Sequence, residues 1–263
     1  MSEQFTQVAL QAALDERPFR FFRRVSSTQN IAREWAMSNP DINGAVVITE
    51  EQTEGRGRQG RVWHSPPGSS VMCSVVLRPD VAAEALPRVT LAGGLAVVDA
   101  FPTDLQHDTA LKWPNDVFIR GRKVSGVLAE AVWSGDQLQA VIMGIGINVR
   151  VDFSGTGLEG IAANLETEWG QPVDRAALLA TTLDRVDYWV AQLDDPALMD
   201  SYRAKLGTLG KRVQVYVNIS SDDNTETFRG RAEALDDDGA LLVRLDSGEL
   251  RRVVAADVGL AEE

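Results

Sequence analysis

Residues 55–61 read Gly-Arg-Gly-Arg-Gln-Gly-Arg, and this stretch constrains the fold more than any other part of the chain. It directly follows a short β-rich run at 45–49, which is typical of a buried strand. Glycine adopts backbone conformations that other residues avoid and lets the main chain approach a ligand closely. Arginine is permanently charged and presents a planar fork to carboxylate or phosphate. We therefore expect a cationic loop that binds an anion at the end of a strand; an exposed basic turn is the alternative.

Net charge and composition limit the classes of function. The chain of 263 residues has a formal net charge of −12, which disfavours a general nucleic-acid binder because such proteins need a positive face. No apolar run is long enough to span a membrane, and the N-terminal region lacks the apolar core of a signal peptide. The single cysteine, Cys73, lies in an apolar run and is predicted to be a buried small residue rather than a nucleophile. We therefore expect a cytoplasmic protein.

Hydrophobic patterning predicts two units. In the first unit, helices are predicted over 5–14, 30–37, 87–101 and 174–193, the last with Asp174 as N-cap. Strands are predicted over 19–25, 45–49, 70–78 and 137–149, and residues 117–131 are predicted to form a hairpin that turns at Gly121. After Leu206, four short strands separated by Asp-Gly and Ser-Gly turns predict a small SH3-like β-barrel. The predicted class is α+β, with a mixed sheet and flanking helices in residues 1–208 and the barrel in residues 209–263.

The glycines also satisfy two familiar nucleotide-binding patterns, but neither fits its context. Gly55, Gly57 and Gly60 match G-x-G-x-x-G, yet the dinucleotide fold needs a helix at the third glycine, and Pro66-Pro67-Gly68 follows instead. The longer protein-kinase pattern ends at Val62, but no H-R-D or D-F-G sequence follows it. The two histidines lack the spacing of a metal site.

Two further blocks carry candidate polar groups. The first is Leu111-Lys112-Trp113-Pro114-Asn115-Asp116, followed by Lys123-Val124-Ser125-Gly126, and it holds two of the chain's four lysines. Lys112 is predicted at the end of a strand, and the Asn-Asp pair is either functional or an ordinary turn. The second block, Gly144-Ile145-Gly146-Ile147-Asn148, ends a strand in an amide that either contacts a base edge or closes a turn.

Together these blocks resemble the biotin protein ligase family. The motifs occur in the family's order: Ser27-Thr28, then Gln52 with 55–63, then 112–116, 123–126 and 144–148. The resemblance covers about residues 20–260, and the arginine-glycine stretch joined to Lys-Trp-Pro-Asn-Asp is its most specific part. It implies that the large unit has the fold of biotin ligases and class II aminoacyl-tRNA synthetases. It also implies an ATP-dependent ligase that converts biotin to biotinyl-5′-AMP and transfers biotin to a lysine of a biotin carboxyl carrier domain.

The resemblance assigns roles to individual residues. The residues implied to bind biotin are Ser27, Thr28, Gln29, Gln52, Gly55, Arg56, Gly57, Arg58, Lys123 and Gly126. The residues implied to bind ATP are Arg58, Arg61, Trp63, Lys112 and Asn148. Catalytic roles are implied for Arg56, Arg58, Lys112, Lys123 and Asp116, the last of which orients the incoming lysine or takes its proton. Mg²⁺ is implied as the partner of ATP, with no ligands assigned.

Two departures from the family pattern affect these expectations. Gln29 follows Thr28 where many members have Asn, and Asn30 comes next, so the amide contact is predicted to shift or lengthen. Members that also repress transcription carry an N-terminal winged-helix domain, whereas the first predicted strand here begins at Phe19. We therefore expect a ligase without repressor activity. The alternatives are a lipoate ligase with the same acyl-adenylate chemistry, a nucleotide-binding regulator without catalysis, and a DNA-binding repressor.

Overall fold

The computed structural model describes residues 4–63, 65–218, 225–254 and 256–260. The α-helices are α1 (Gln7–Leu14), α2 (Thr28–Ser38), α3 (Leu86–Ala100), α4 (Leu165–Trp169), α5 (Arg175–Val190) and α6 (Pro196–Lys205). The strands are β1 (Phe19–Phe22), β2 (Val46–Thr49), β3 (Ser70–Leu77), β4 (Thr109–Lys112), β5 (Asp116–Ile119), β6 (Arg122–Ser134), β7 (Gln137–Asn148), β8 (Arg212–Asn218), β9 (Thr225–Leu235), β10 (Leu241–Leu245), β11 (Leu250–Val253) and β12 (Asp257–Leu260).

Seven strands form the central sheet, in the order β1-β2-β3-β7-β6-β5-β4. β1 and β2 are parallel, with Phe19 opposite Val46, and every other neighbouring pair in this sheet is antiparallel. Parallel strands need a long connection, and here α2 lies between β1 and β2 in the chain. This mixed sheet with flanking helices confirms the predicted α+β class.

Different helices cover the two faces of the central sheet. β3 is buried along its whole length, and because side chains alternate across a strand it serves two cores. Val75 belongs to the larger core with α3 and α5. Its neighbour Val76 packs on the other face with Ala32 and Trp35 of α2. The run at 71–77, which is apolar except for Ser74, is therefore explained by burial on both faces.

Several local signals in the sequence have the expected structural result. The Asp174 carboxylate accepts hydrogen bonds from the N–H groups of Ala176 and Ala177, so the predicted N-cap of α5 is confirmed. The hairpin between β5 and β6 turns through Arg120 and Gly121, which have φ values of 48° and 79°, as two-residue hairpin turns prefer. Cys73 is buried, and burial raises the pKa of its thiol to about 12, which agrees with the predicted packing role.

The C-terminal unit is an antiparallel sheet of five described strands, in the order β11-β10-β9-β8-β12. The sequence predicted four of them and missed β12, which pairs with β8. The described strands do not confirm closure into an SH3-like barrel. The unit is joined firmly to the large one, because the Trp113 indole N–H donates to the Gly239 carbonyl at 2.9 Å and the Arg203 guanidinium donates to the Leu235 carbonyl at 3.2 Å. The domain boundary at residue 208 stays a prediction.

Candidate active site

A cavity of about 320 Å³ lies beside the N-terminal end of α2, on the face of the sheet that α2 partly covers. Nearly all the site residues singled out by the sequence lie in its wall: Ser27, Thr28, Gln29, Gln52, Arg56, Gly57, Arg58, Arg61, Trp63, Lys112, Asp116, Lys123, Gly126 and Asn148. Gly55 is the exception, because it is buried behind the wall rather than in it. The fold therefore gathers blocks that are up to 121 positions apart in the sequence, from Ser27 to Asn148, into a single site.

Thr28 and Gln52 form a hydrogen-bonded pair in this wall. Gln52 Oε1 accepts from the backbone N–H of Thr28 at 2.9 Å and from its hydroxyl at 3.2 Å. The Thr28 hydroxyl also lies 2.7 Å from that of Ser74 on β3. Gln52 reaches this place because it forms a parallel bridge with Val25 just beyond β1 and β2. The pair is a fixed polar group at the start of α2.

Three buried polar atoms on neutral side chains of the wall have no hydrogen-bond partner among the described residues: Ser27 Oγ, Gln29 Oε1 and Trp63 Nε1. Buried polar atoms normally have partners, so these atoms are candidates to bind a ligand. Ser27 is the N-cap of α2 but makes no side-chain capping bond. The Gln29 amide is held in place because its Nε2 donates to the Leu128 carbonyl at 3.1 Å. The cavity thus offers both donors and acceptors.

Glycines form a flat floor beneath Trp63. Gly126 of β6 is paired with Gly146 of β7, and the half-buried indole lies against both. A methyl group at Gly146 would lie 2.6 Å from Trp63 Cε2, which is well inside van der Waals contact. The glycine spacing in the 144–148 block therefore makes room for an aromatic ring, which the sequence did not show.

The loop of residues 55–63, here called the arginine loop, is a short hairpin. The Trp63 N–H donates to the Gly55 carbonyl at 3.0 Å, and the Gly57 N–H donates to the Arg61 carbonyl at 2.7 Å. A methyl group at Gly55 would lie 2.6 Å from the Trp63 carbonyl oxygen, so the two arms could not approach as they do. Gly55 thus shapes the loop from outside the cavity wall, and its role in the biotin site stays a prediction.

The three arginines of the loop have different partners. Arg56 donates to the Asn30 side chain on α2. Arg58 donates to the Ala256 carbonyl at 3.1 Å, and Arg61 pairs with the Asp257 carboxylate at 2.5 Å. Burial lowers the pKa of Arg58, an effect that the Asp257 and Asp116 carboxylates oppose. The loop is therefore held between α2 and the C-terminal sheet.

Two lysines and a carboxylate complete the charged part of the cavity. The Lys123 ammonium lies 2.6 Å from the Asp116 carboxylate across the β5–β6 pairing. Burial lowers the pKa of Lys112, and the charges of Lys123 and Arg61 lower it further, whereas Asp116 raises it. The like charges crowd together where an anion would relieve their repulsion.

Asn148 and one unpredicted segment form another part of the wall. The Asn148 amide is buried and donates to the Ala163 carbonyl at 3.2 Å. The segment 150–162 adds Phe153, Leu158 and Ile161 to the cavity, and the last two are exposed apolar side chains. The sequence contained a sign of this contact, because apolar residues in a glycine-rich stretch without helical or strand periodicity are exposed to solvent or to a ligand.

Metal and membrane sites do not emerge from the described residues. Among them there is no group of three or more His, Cys, Asp or Glu side chains arranged to hold a metal ion. In that same part of the chain, no helix combines the length and apolarity needed to cross a bilayer.

Comparisons with known proteins identify the family of the chain. Residues 21–148 match the family described as "Biotin/lipoate A/B protein ligase family", and residues 208–260 match the "Biotin protein ligase C terminal domain". The chain is 36% identical over 234 residues to the biotin–[acetyl-CoA-carboxylase] ligase of Mycobacterium tuberculosis, covering 84% of this chain and 80% of that protein. It is 35% identical over 244 residues to the bifunctional ligase/repressor BirA of Bacillus spizizenii, covering 90% of this chain and 72% of that protein.

A solved structure shows the same architecture. The biotin protein ligase from Aquifex aeolicus in complex with biotin and ATP superimposes with a TM-score of 0.76 at 27% sequence identity, covering 94% of this chain and 99% of that chain. The fold and the cavity thus define a protein of the biotin/lipoate protein ligase class. Within that class, the chain belongs to the biotin protein ligase family. This confirms the resemblance stated from the sequence motifs.

Proposed function

We propose that this chain activates biotin with ATP to biotinyl-5′-AMP and transfers the biotinyl group to a lysine of a biotin carboxyl carrier domain. The enzyme is an ATP-dependent biotin protein ligase. A single observation supports the residue assignments best. A neutral polar group around Thr28 and Gln52 shares one cavity with a cluster of positive side chains that includes Arg58, Lys112 and Lys123.

The neutral end of the cavity suits the ureido ring of biotin, which carries both donors and acceptors. Ser27 Oγ and Gln29 Oε1 lack partners in the described structure, and Gln52 is fixed by Thr28. A ligand that satisfies buried polar atoms gains affinity, because leaving them unsatisfied costs about 1–3 kcal/mol each. The apolar body of biotin would lie near the glycine floor, with Gly57 and Gly126 letting the backbone come close.

The charged end suits the first chemical step. A carboxylate oxygen of biotin attacks the α-phosphorus of ATP, the α–β phosphoanhydride bond breaks, and pyrophosphate leaves. Two anions must approach each other, so fixed positive charge lowers the barrier. We assign this role to Arg56, Arg58 and Lys123 at the reacting groups, with Lys112 and Arg61 on the phosphates. Trp63, Asn148 and the apolar side chains of Phe153, Leu158 and Ile161 would hold the nucleoside.

Mg²⁺ belongs to this proposal as part of the MgATP substrate. Asp116 is the carboxylate in the described cavity wall, so the protein offers little coordination of its own. The ion would share the phosphate charge with Lys112 and Arg61.

The second step requires an unprotonated amine. A free lysine is protonated near neutral pH, so a group must orient it or take its proton. Asp116 is suited to this because it lies in the cavity wall beside Lys123. The amine nitrogen attacks the acyl carbon of the mixed anhydride, AMP leaves with the bonding electrons, and the amine proton is lost to the base. The acceptor would be the carrier domain of a biotin-dependent carboxylase in the cytoplasm.

Mass spectrometry of a carrier domain tests the proposed function. After incubation with the protein, biotin, ATP and Mg²⁺, we expect the acceptor to gain the mass of one biotinyl group. A parallel reaction with lipoate tests the alternative acid, since the matched family model covers both ligase types. Modification by lipoate and not by biotin, or no modification with either acid, would overturn the proposal.

A further inference from the structure

The arginine loop is held by the C-terminal sheet as well as by the large unit. Asp257 is the first residue of β12 and Ala256 directly precedes it, about 200 positions from the loop in sequence. The Arg61 Nη2 atom lies 2.5 Å from Asp257 Oδ2, and Arg58 Nε lies 4.0 Å from Asp257 Oδ1. Arg58 Nη2 also donates to the Ala256 carbonyl at 3.1 Å. A single edge strand therefore contacts two of the three loop arginines.

The Asp257 carboxylate lies behind these arginines and not in the cavity. Arg58 and Arg61 are in the cavity wall, whereas Asp257 is not. The Asp257 and Arg58 side chains are 17% and 19% exposed and that of Arg61 is 59% exposed, so solvent screens the attraction of Asp257 for Arg58 less than its attraction for Arg61. A phosphate in the cavity can therefore contact the guanidinium groups on their cavity side, while the Asp257 carboxylate contacts them from outside the cavity wall.

The negative charge of Asp257 stabilises the arginine loop because several positive side chains lie close together there. Burial lowers the pKa of Arg58 and of Lys112, and the positive charge of Arg61 lowers both further, as expected for like charges close together. Without Asp257, Arg61 would lose its paired carboxylate, and its long side chain would regain rotamer freedom. The nucleotide would then have to order that side chain on binding, at a cost in affinity.

We propose that Asp257 is a positioning residue for the ligase reaction. It fixes the guanidinium groups of Arg58 and Arg61 in the orientation that the triphosphate of ATP requires, and the C-terminal sheet is thereby part of the ATP site. This inference rests on the proposed function, because it names a further residue of the same reaction.

The direction in which Asp257→Ala changes the KM for ATP distinguishes a positioning role from an effect of charge alone. Asp257→Ala removes a negative charge near an anionic substrate, so an effect of charge alone would lower the KM for ATP. Positioning requires the opposite. We expect the KM for ATP to rise about tenfold, the scale of one charge-assisted hydrogen bond. The affinity for biotin should change less, because Asp257 pairs more closely with Arg61 than with Arg58. Asp246→Asn is the matched control, since Asp246 pairs with Arg212 on the exposed surface of the same sheet and is outside the cavity wall.

A double-mutant cycle shows whether Asp257 acts through Arg61. We expect Asp257→Ala to have much less effect on the KM for ATP in an Arg61→Ala background than in the wild type, because the two residues are then coupled. Equal effects in both backgrounds would overturn the inference, as would an unchanged or lowered KM in the single variant. Thermal unfolding of each variant checks the fold. If Asp257→Ala unfolds, Asp257→Asn carries the same test, since it keeps the side-chain volume and removes the charge.

Failure of this inference is distinguishable from failure of the proposed function. The wild-type chain and the Asp246→Asn control must both transfer biotin to a carrier domain for the proposed function to stand. A normal KM for ATP in an active Asp257→Ala enzyme would remove Asp257 from the site and leave that function intact.

Discussion

The glycine floor gives a prediction whose magnitude follows from the structure. In Gly146→Ala, the new methyl group would lie 2.6 Å from Trp63 Cε2 and 2.8 Å from Cζ2. Carbon atoms in contact prefer about 3.5–4.0 Å, so the indole must move by about 1 Å or the strand must yield. Overpacking of this kind typically costs about 1–3 kcal/mol. The backbone N–H of Trp63 donates to the Gly55 carbonyl, so a displacement of Trp63 also moves the arginine loop.

We expect the penalty to fall on ligand binding more than on folding. An alanine in place of glycine in a strand restricts the unfolded chain, which offsets part of the cost in stability. The dissociation constant for biotin in the presence of a non-hydrolysable ATP analogue should rise about tenfold or more, which corresponds to about 1.4 kcal/mol. Isothermal titration calorimetry measures this, with urea unfolding of the same variant.

Gly157→Ala is the matched control for this experiment. A methyl group at Gly157 would have no atom of the protein within 4 Å, and the residue is not in the cavity wall. Wild-type affinity is expected there. If Gly146→Ala binds biotin like the wild type in the presence of the ATP analogue, the indole does not lie on the glycine floor in the working enzyme, and the reasoning is wrong.

Three other predictions follow from the charged groups. Arg56→Ala should slow biotin-dependent pyrophosphate release by on the order of a hundredfold, the scale of one transition-state donor, and a near-normal rate would remove Arg56 from the reaction. Glu50→Gln should lower the free energy of unfolding, measured in urea, by about 3–5 kcal/mol. The reason is that Glu50 and Arg175 form a buried ion pair at 2.9 Å, with both side chains 3% exposed. A change below about 1 kcal/mol, the contribution of a surface ion pair, would contradict this. Because burial lowers the pKa of Lys112, its positive charge is present at low pH and is lost, as pH rises, earlier than the charge of an exposed lysine. The value of kcat/KM for ATP should therefore fall at alkaline pH, and Lys112→Arg should shift that fall to higher pH. A pH profile that does not shift in this variant would exclude Lys112 as the cause of the fall.

Local sequence signals predicted most elements of the large unit. Helix α5 follows from the Asp174 cap and its apolar spacing, and the β5–β6 hairpin follows from Gly121. Helix α6 was missed although Asp195 caps it and Pro196 opens it, which is a standard start signal. The expected barrel closure depends on pairing between strands that are distant in sequence, and no local pattern encodes such pairing.

The cavity residues were predictable from motifs, but their contacts were not. The ion pair between Lys123 and Asp116 depends on the register of β5 against β6, which a bulge after Val117 shifts. The contact between Trp63 and the glycine floor joins a loop to two strands, and Asp257 joins that loop to another unit. These contacts arise from tertiary packing, so a list of conspicuous residues does not contain them.

The central claim is that the positive side chains of the cavity neutralise the repulsion between the biotin carboxylate and the ATP phosphates. A crystal structure of the protein with biotin and a non-hydrolysable ATP analogue tests it most directly. We predict that guanidinium nitrogens of Arg56 and Arg58 lie within hydrogen-bonding distance, about 2.7–3.2 Å, of the carboxylate and the α-phosphate. Both ligands bound with these two side chains directed into solvent, remote from either anion, would contradict the account.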